Sequence, residues 1–119
     1  MGLQGIPLTV ADGEVIFSRG DAAADMYIVR SGSVDIVAWG TDGPVVLEHI
    51  EAGGFFGEMA LFSPGPRSAS AVARGETVLD VVDTPTFQAF VGDPMIWAVC
   101  ARLSDRLRRA TAAALEDDE

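Results

Sequence analysis

The most distinctive segment of the sequence runs from Gly53 to Ser70 and reads GGFFGEMALFSPGPRSAS. Its glycines allow close backbone approach and positive φ angles, and residues 57–60 are expected to start a single helical turn. The amides at the start of such a turn attract an anion. Arg67 follows beyond a Pro-Gly-Pro loop, where its guanidinium is able to donate two parallel hydrogen bonds to a phosphate.

Glu58 is the residue in this segment that an anion alone does not explain, because a carboxylate repels a second negative charge. A carboxylate does accept a hydrogen bond from a sugar hydroxyl. Glu58 and Arg67 together therefore predict a site for a ribose that carries a phosphate. Taken singly, either residue could instead be a solvated surface charge.

The chain on both sides of this segment predicts short strands between turns. The predicted strands are residues 14–18, 26–30, 33–39, 45–50, 70–73 and 77–82. Ser31-Gly32 and Arg74-Gly75-Glu76 are expected to separate neighbouring strands, and residues 40–43 to form a hairpin turn. Turns about 8–12 residues apart are typical of a β-sandwich or barrel.

The last third of the sequence predicts helices. Thr84 is expected to cap a short helix that has Pro85 at its first position and runs to Val91. A second helix is predicted from Pro94, about 20 residues and so ~30 Å long. Its apolar positions recur at three- and four-residue steps, namely Ile96, Val99, Cys100, Leu103, Leu107, Ala110 and Ala114. The predicted helical region is 84–115.

Two stretches, Phe56-Gly57-Glu58-Met59-Ala60-Leu61 and Pro66-Arg67-Ser68-Ala69-Ser70, match a known pattern. They resemble the phosphate-binding cassette of cyclic-nucleotide-binding domains, the modules of the catabolite activator protein, of protein kinase A regulatory subunits and of cyclic-nucleotide-gated channels. Residues 13–17, 20–21, 26–29 and 31–34 also look like the first strands of that family. The resemblance implies a mainly β fold, a jelly-roll β-roll over about 8–83 within one domain at 1–119.

The resemblance also implies a role for each cassette residue. Glu58 would accept the ribose 2′-hydroxyl, and Arg67 would pair with the cyclic phosphate. The amides of residues 57–60 would add donors, Ser68 could bond either the phosphate or the base, and the small Ala69 would leave room for the ring. No metal is implied.

The long terminal helix would cover the base, with Arg102, Arg106 and Arg109 as lid candidates. The implied function is a non-enzymatic sensor for cAMP, preferred to cGMP, which moves this helix when the ligand binds. The output would pass to an unidentified protein partner, and a homodimer through the helix is one possibility. Because no output segment follows the helices, the chain is either a free-standing sensor or an excised domain.

The composition excludes several other functions. The 119 residues carry 8 arginines, no lysine and 18 carboxylates, for a net charge of -10. Such a chain is a poor binder of duplex DNA, and the absence of lysine excludes Schiff-base chemistry. The single histidine cannot supply the ligands of a metal-dependent jelly-roll enzyme. One cysteine, no signal peptide and no membrane span predict a cytoplasmic protein.

Two alternatives stay open at this point. The first is a degenerate family member that binds no nucleotide and acts only as an interaction module. The second is a haem sensor on the same fold, for which His49 would be the ligand histidine and Cys100 or the N-terminus the other candidate ligands. We otherwise expect His49 to be structural, and Phe55, Phe56 and Phe62 to pack in the core rather than to stack on a base.

Overall fold

The structure, a computed structural model, describes residues 2–63 and 65–117, with side chains up to residue 110. They form six strands and three helices, of which the first helix lies between the fifth and sixth strands and the other two follow the sixth strand. The elements are β1 (Ile6–Val10), β2 (Val15–Phe17), β3 (Asp25–Gly40), β4 (Gly43–Glu51), β5 (Phe55–Phe56), α1 (Met59–Phe62), β6 (Ser70–Asp83), α2 (Thr84–Val91) and α3 (Pro94–Asp117).

All of the strand pairs are antiparallel, in the order β1-β6-β3-β4. The short strands lie off this path, since β2 pairs with β6 and β5 pairs with β3. The two long strands β3 and β6 pair along most of their length and form the spine of the sheet. The mainly β jelly-roll with C-terminal helices is therefore confirmed. The hairpin turn is also confirmed, because Gly40 pairs with Gly43 across the two loop residues.

The expectation that glycine-containing turns separate strands at residues 31–32 and 74–76 was wrong. β3 and β6 are each continuous there, but their pairing shifts register around Ser31. Gly32 has φ 81° and Gly75 has φ 77°. A Cβ on Gly32 would lie 2.5 Å from the Thr77 hydroxyl oxygen, so only glycine fits where the two strands lie this close. The glycines bend paired strands rather than ending them.

Three smaller expectations at element boundaries need correction. β1 was not predicted, although it pairs with β6 from Ile6↔Val81 to Val10↔Thr77. The cap of α2 is Asp83 rather than Thr84, because the Asp83 carboxylate accepts from the Thr86 amide at 2.9 Å. α3 has 24 residues, somewhat more than expected. The single helical turn of the cassette is confirmed as α1.

The interior consists of two clusters of buried apolar side chains. The larger lies inside the β-roll and contains Val10, Val29, Val34, Ile50, Phe56, Ala71, Ala73 and Leu79. The smaller contains Leu3, Met26, Ile28, Leu61 and Val82, and Phe87 and Trp97 pack against it. Because Leu61 lies in α1 and Trp97 in α3, the smaller cluster fixes the cassette helix between the sheet and the terminal helix.

α3 packs on α1 through one face and leaves another exposed. Trp97 lies 4.7 Å from Phe62, centroid to centroid, and Ala101, Ser104 and Arg108 follow on the same partly buried face. The apolar stripe identified in the sequence points elsewhere. Ile96, Val99, Leu103 and Leu107 are 52%, 50%, 57% and 56% exposed. Burial of this stripe on ligand binding stays a prediction.

Candidate functional site

A single open cavity of about 1150 Å³ brings the predicted site residues together. It lies between the β-roll, α1 and the loop that returns to β6. The eight predicted residues that line it are Phe56, Gly57, Glu58, Met59, Ala60, Arg67, Ser68 and Ala69. The segment that carries these residues forms one wall of the cavity, and the role of each residue stays a prediction.

The backbone at Arg67 is held by the loop before β3. The Arg67 amide donates to the Asp21 carbonyl at 2.9 Å, and the Gly20 amide donates to the Arg67 carbonyl at 2.8 Å. Pro66 forms a bridge with Ala22 beside them. Two segments more than forty residues apart in sequence therefore pair like short strands, which fixes the direction in which the Arg67 side chain leaves the backbone.

The Arg67 side chain is buried, with 8% of the residue exposed. Nη1 donates to the Gly57 carbonyl at 3.0 Å and Nη2 to the Asp25 carbonyl at 2.7 Å. The guanidinium carbon lies 4.1 Å from the centre of the Phe17 ring, a cation–π distance. Nε is buried and has no hydrogen-bond partner among the described residues.

Arg67 therefore carries a buried positive charge that no carboxylate neutralises by an ion pair in the described part of the chain. Burial lowers the pKa of the guanidinium from its ordinary value, and the Tyr27 hydroxyl and the Asp25 carboxylate only partly oppose this. Arginine nevertheless stays charged in proteins. A buried charge without a counterion is costly, so the site favours an anion that supplies the missing charge.

Glu58 lies at the other end of the cassette and lines the same cavity. It occupies the N-cap position of α1, but its side chain makes no capping hydrogen bond. Glu58 is partly buried, and its carboxylate oxygens have no hydrogen-bond donor or ion-pair partner among the described residues. The carboxylate is thus able to accept a hydrogen bond from a hydroxyl in the cavity.

The other cassette residues provide shape and backbone donors. Ala60 and Ala69 are 7% and 8% exposed, so their small side chains form the floor of the cavity, while Ser68 is exposed at its edge. The Ala60 amide donates to the Gly57 carbonyl at 3.4 Å. One of the four amides predicted to face the ligand is therefore already engaged, weakly, within the turn.

The structure does not bring the three lid candidates to the cavity. Arg102 and Arg106 are exposed and do not line it, and Arg109 pairs with Asp105 on α3 at 2.7 Å. Arg108 lines the cavity instead. The helical repeat explains the difference, because Arg108 lies on the face with Trp97, Ala101 and Ser104, whereas Arg102 and Arg106 lie closer to the exposed stripe.

The aromatic residues and the histidine divide between core and cavity. Phe56 is 3% exposed in the main core, and Phe62 packs edge-on against Phe87, as expected. Phe55 is 45% exposed and lines the cavity, so its expected burial was wrong. His49 Nδ1 lies 2.6 Å from Asp35 Oδ1, which fits a structural role, although the residue also lines the cavity.

Sequence reasoning missed the residues that surround Arg67 from distant parts of the chain. Tyr27 stacks on Phe56, and Phe17 packs against both rings at a tilt, so the three form an aromatic wall beside the guanidinium. Arg19 and Arg108 add charge, so three arginines and three glutamates line the cavity of a chain with a net charge of -10. The formal charges of the cavity lining thus cancel, so the cavity opposes the approach of an anion less than the net charge of the chain suggests.

Comparison with known proteins agrees with this geometry. The family model described as the cyclic nucleotide-binding domain matches residues 7–93, which is most of the chain. The protein therefore belongs to the cyclic nucleotide-binding domain family, and the resemblance found in the cassette is confirmed. The match begins at β1 and ends just before α3.

Individual relatives give the same result. The cAMP-dependent protein kinase regulatory subunit of Blastocladiella emersonii is 39% identical over 85 residues, which are 71% of this chain and 21% of that protein. The cAMP-bound EAL enzyme Bd1971 has a TM-score of 0.77 at 30% identity, over 93% of this chain and 30% of that one. Its cGMP-bound form has a TM-score of 0.75 at 32% identity, over 92% of this chain and 30% of that one.

The catabolite activator protein of Thermus thermophilus has a TM-score of 0.69 at 31% identity, over 94% of this chain and 53% of that one. This chain spans only about a fifth of the kinase subunit that it matches.

No helix of the described residues is long and apolar enough to cross a membrane. Across residues 2–63 and 65–110, no group of three or more acidic, His or Cys side chains is placed to hold a metal ion.

Proposed function

We propose that this domain binds a cyclic purine nucleotide, cAMP in preference to cGMP, and acts as a regulatory sensor without catalytic activity. The observation that carries the proposal is the buried guanidinium of Arg67, which lacks a carboxylate partner among the described residues. A cyclic phosphate supplies one negative charge and two oxygens able to accept hydrogen bonds. It therefore meets both needs of Arg67, namely charge compensation and a partner for Nε.

The carboxylate of Glu58 gives the site its preference for a ribose. The 2′-hydroxyl of a cyclic nucleotide is free, because the ring phosphate uses only the 3′ and 5′ oxygens. A hydrogen bond from that hydroxyl to a charged acceptor is worth ~1.5–3 kcal/mol. The cavity has room for the whole ligand, since sites for small molecules are typically about 300–1,000 Å³.

The support for cAMP over cGMP comes from relatives rather than from a base contact. The Blastocladiella relative is named as a cAMP-dependent regulatory subunit, whereas Bd1971 has been solved with either nucleotide bound. Calorimetry on nucleotide-stripped protein tests the preference. We expect saturable 1:1 binding of both nucleotides, with the smaller dissociation constant for cAMP. A smaller constant for cGMP would overturn the preference, and no binding of either would overturn the function.

The output of the sensor is proposed to pass through α3 to a protein partner and not to DNA. α3 is the last described element, and it packs mainly on α1, the helix of the cassette. A ligand that stabilises the cassette therefore also stabilises the surface of α1 on which α3 packs. The exposed Ile96-Val99-Leu103 stripe offers a surface for the partner, and a second copy of this chain is one partner that fits it.

One observation favours the alternative of an interaction module that binds no nucleotide. Both terminal nitrogens of Arg67 already donate to backbone carbonyls, those of Gly57 and Asp25. In this alternative Arg67 is a structural residue whose hydrogen bonds hold the cassette against β3. The same calorimetry distinguishes the two functions, because a protein in which Arg67 is only structural shows no heat of binding with either nucleotide.

A further inference from the structure

One side chain of α3 contacts both ends of the loop that leads to Arg67. Arg108 Nε donates to the Ser63 hydroxyl at 3.2 Å, and Nη1 donates to the Pro66 carbonyl at 3.2 Å. Nη2 donates to the Ser63 carbonyl. A guanidinium is rigid and planar, so three bonds to two residues fix the position of Arg108 relative to the loop.

The loop itself is shaped to receive Arg108. A Cβ atom at position 65 would overlap Arg108 Nη1, so the guanidinium occupies the space that a side chain at Gly65 would need. Because glycine has no side chain, the Arg108 guanidinium lies directly against the loop at this position.

The Pro66 carbonyl connects Arg108 directly to Arg67. The carbonyl oxygen belongs to the same peptide group as the Arg67 amide, which donates to the Asp21 carbonyl at 2.9 Å. A peptide group is planar and stiff. Arg108 therefore holds one side of this plane and the loop before β3 holds the other, so a shift of α3 at Arg108 tilts the backbone of Arg67.

The rest of this face of α3 offers little to replace Arg108. Trp97 packs on Phe62 near the start of the helix, about 11 residues and so ~16 Å before Arg108. Between them lie the short side chains of Ala101 and Ser104. Beyond Ser104, Arg108 anchors this face of the helix to the loop by its three hydrogen bonds.

We propose that Arg108 is the positioning residue that couples phosphate binding at Arg67 to the placement of α3, through Ser63 and the Pro66–Arg67 peptide group. This inference rests on the proposed function. Arg108 acts on the ligand through the backbone and need not touch it. Coupling is reciprocal, so a ligand that tightens α3 through Arg108 is itself bound more tightly because Arg108 is present.

Two variants remove the contact in different ways. Arg108→Ala removes the guanidinium, whereas Gly65→Ala keeps it and displaces it from the loop. Met95→Ala is the matched control, because it places alanine at a position of the same helix that is 70% exposed. Each variant is first checked for a cooperative thermal transition, and Gly65→Ala decides the test if Arg108→Ala does not fold.

The measurement is hydrogen exchange of the full chain with and without saturating cAMP, together with calorimetry. Without ligand, we expect exchange at residues 98–108 to be about tenfold faster in both variants than in wild type. The slowing that cAMP causes in α3 is lost in both, while slowing at residues 57–62 remains. The dissociation constant for cAMP rises by about fivefold to tenfold, and Met95→Ala behaves as wild type.

Other outcomes identify which idea fails. If cAMP slows α3 in the two variants as in wild type, the coupling role is wrong and the proposed function stands. If affinity falls by more than about a hundredfold in folded variants, Arg108 belongs to the binding site and is not a positioning residue. If wild type binds no cyclic nucleotide, the proposed function fails, and the coupling role fails with it.

Discussion

Arg67 Nη1 donates a hydrogen bond to the carbonyl of Gly57 at 3.0 Å, which closes the two ends of the cassette on each other. Gly57 directly precedes Glu58, so this bond places the guanidinium beside the backbone of the residue whose carboxylate the proposed ligand would also contact. A ligand that draws the guanidinium toward the cavity must therefore also act on the backbone at the start of α1. The bond between Arg67 and Gly57 thus links phosphate binding at the guanidinium to the backbone conformation of the cassette.

Arg67→Ala is expected to abolish or strongly weaken nucleotide binding. Truncation of one partner of a buried charge pair typically costs about 2–5 kcal/mol. Calorimetry with cAMP measures the effect. Arg74→Ala serves as the control, because it also removes an arginine but one that pairs with Asp35 and does not line the cavity. An affinity of Arg67→Ala near that of wild type would contradict the site.

Glu58→Gln should weaken cAMP binding less than Arg67→Ala does, because it changes a hydrogen bond rather than removing a buried charge. Wild type should bind 2′-deoxy-cAMP about tenfold or more weakly than cAMP. The variant should distinguish the two ligands much less. Glu76→Gln, at an exposed position of β6 outside the cavity, should keep the full discrimination. Equal affinity of wild type for both ligands would show that Glu58 has another role.

Hydrogen exchange in α3 should slow when cAMP binds. We expect slower exchange at residues 95–110 as well as in the cassette, because α3 packs on α1 and shares its apolar cluster. A ligand shifts such an equilibrium only through its different affinity for the two positions of the helix. Protection confined to residues 54–70 would instead describe a rigid binder without a helical switch.

Acid should destabilise the fold through two aspartates. Hydrogen bonds from His49 and then Arg74 lower the pKa of Asp35, and the bond from Arg30 lowers the pKa of Asp80. A lowered folded-state pKa adds stability that is complete above the unfolded pKa, near 3.9. It is lost as the pH falls through the folded-state value.

Thermal unfolding between neutral pH and about pH 3 tests this acid effect. Asp35→Asn and Asp80→Asn should be less stable than wild type at neutral pH, and the difference should shrink as the pH falls below about 4. Asp42→Asn, in the exposed hairpin loop, is the control and should follow wild type. Variants that stay below wild type by a constant amount at every pH would contradict the assignment.

Duplex DNA should not bind, with or without cAMP. Five of the eight arginines are engaged in hydrogen bonds or ion pairs within the chain, namely Arg30, Arg67, Arg74, Arg108 and Arg109. Binding to phosphate backbones needs several cations on one exposed face. A gel-shift assay at low salt measures this, and retention of DNA that depends on cAMP would show a surface not identified here.

The cassette could be predicted from the sequence because its information is local. Glu58 and Arg67 lie within one 18-residue segment, and Asp42-Gly43 likewise defines its own hairpin turn. The bends at Gly32 and Gly75 were harder, since a glycine in a strand and a glycine in a turn look alike. Only the register of β3 against β6 shows that the strands continue.

The parts of the site that sequence could not provide depend on distant pairing. β1 pairs with β6 some seventy residues later, and Arg108 contacts Ser63 across 45 residues. The periodicity of α3 identified its apolar stripe but not the face that packs on α1. The packing face is set by the contact of Trp97 with Phe62 and by the hydrogen bonds of Arg108 to the loop. No local sequence pattern predicts these contacts.

The NMR signal of the Arg67 Nε–H group reports whether Arg67 holds the phosphate of a cyclic nucleotide. That nitrogen is buried without a partner among the described residues, and Arg67→Lys identifies its resonance by removing it. Titration with cAMP should move this resonance strongly and saturably, because a phosphate oxygen becomes its acceptor, while the Nε–H signal of Arg74 stays in place. An Arg67 Nε–H resonance that does not move at saturating cAMP would contradict the account.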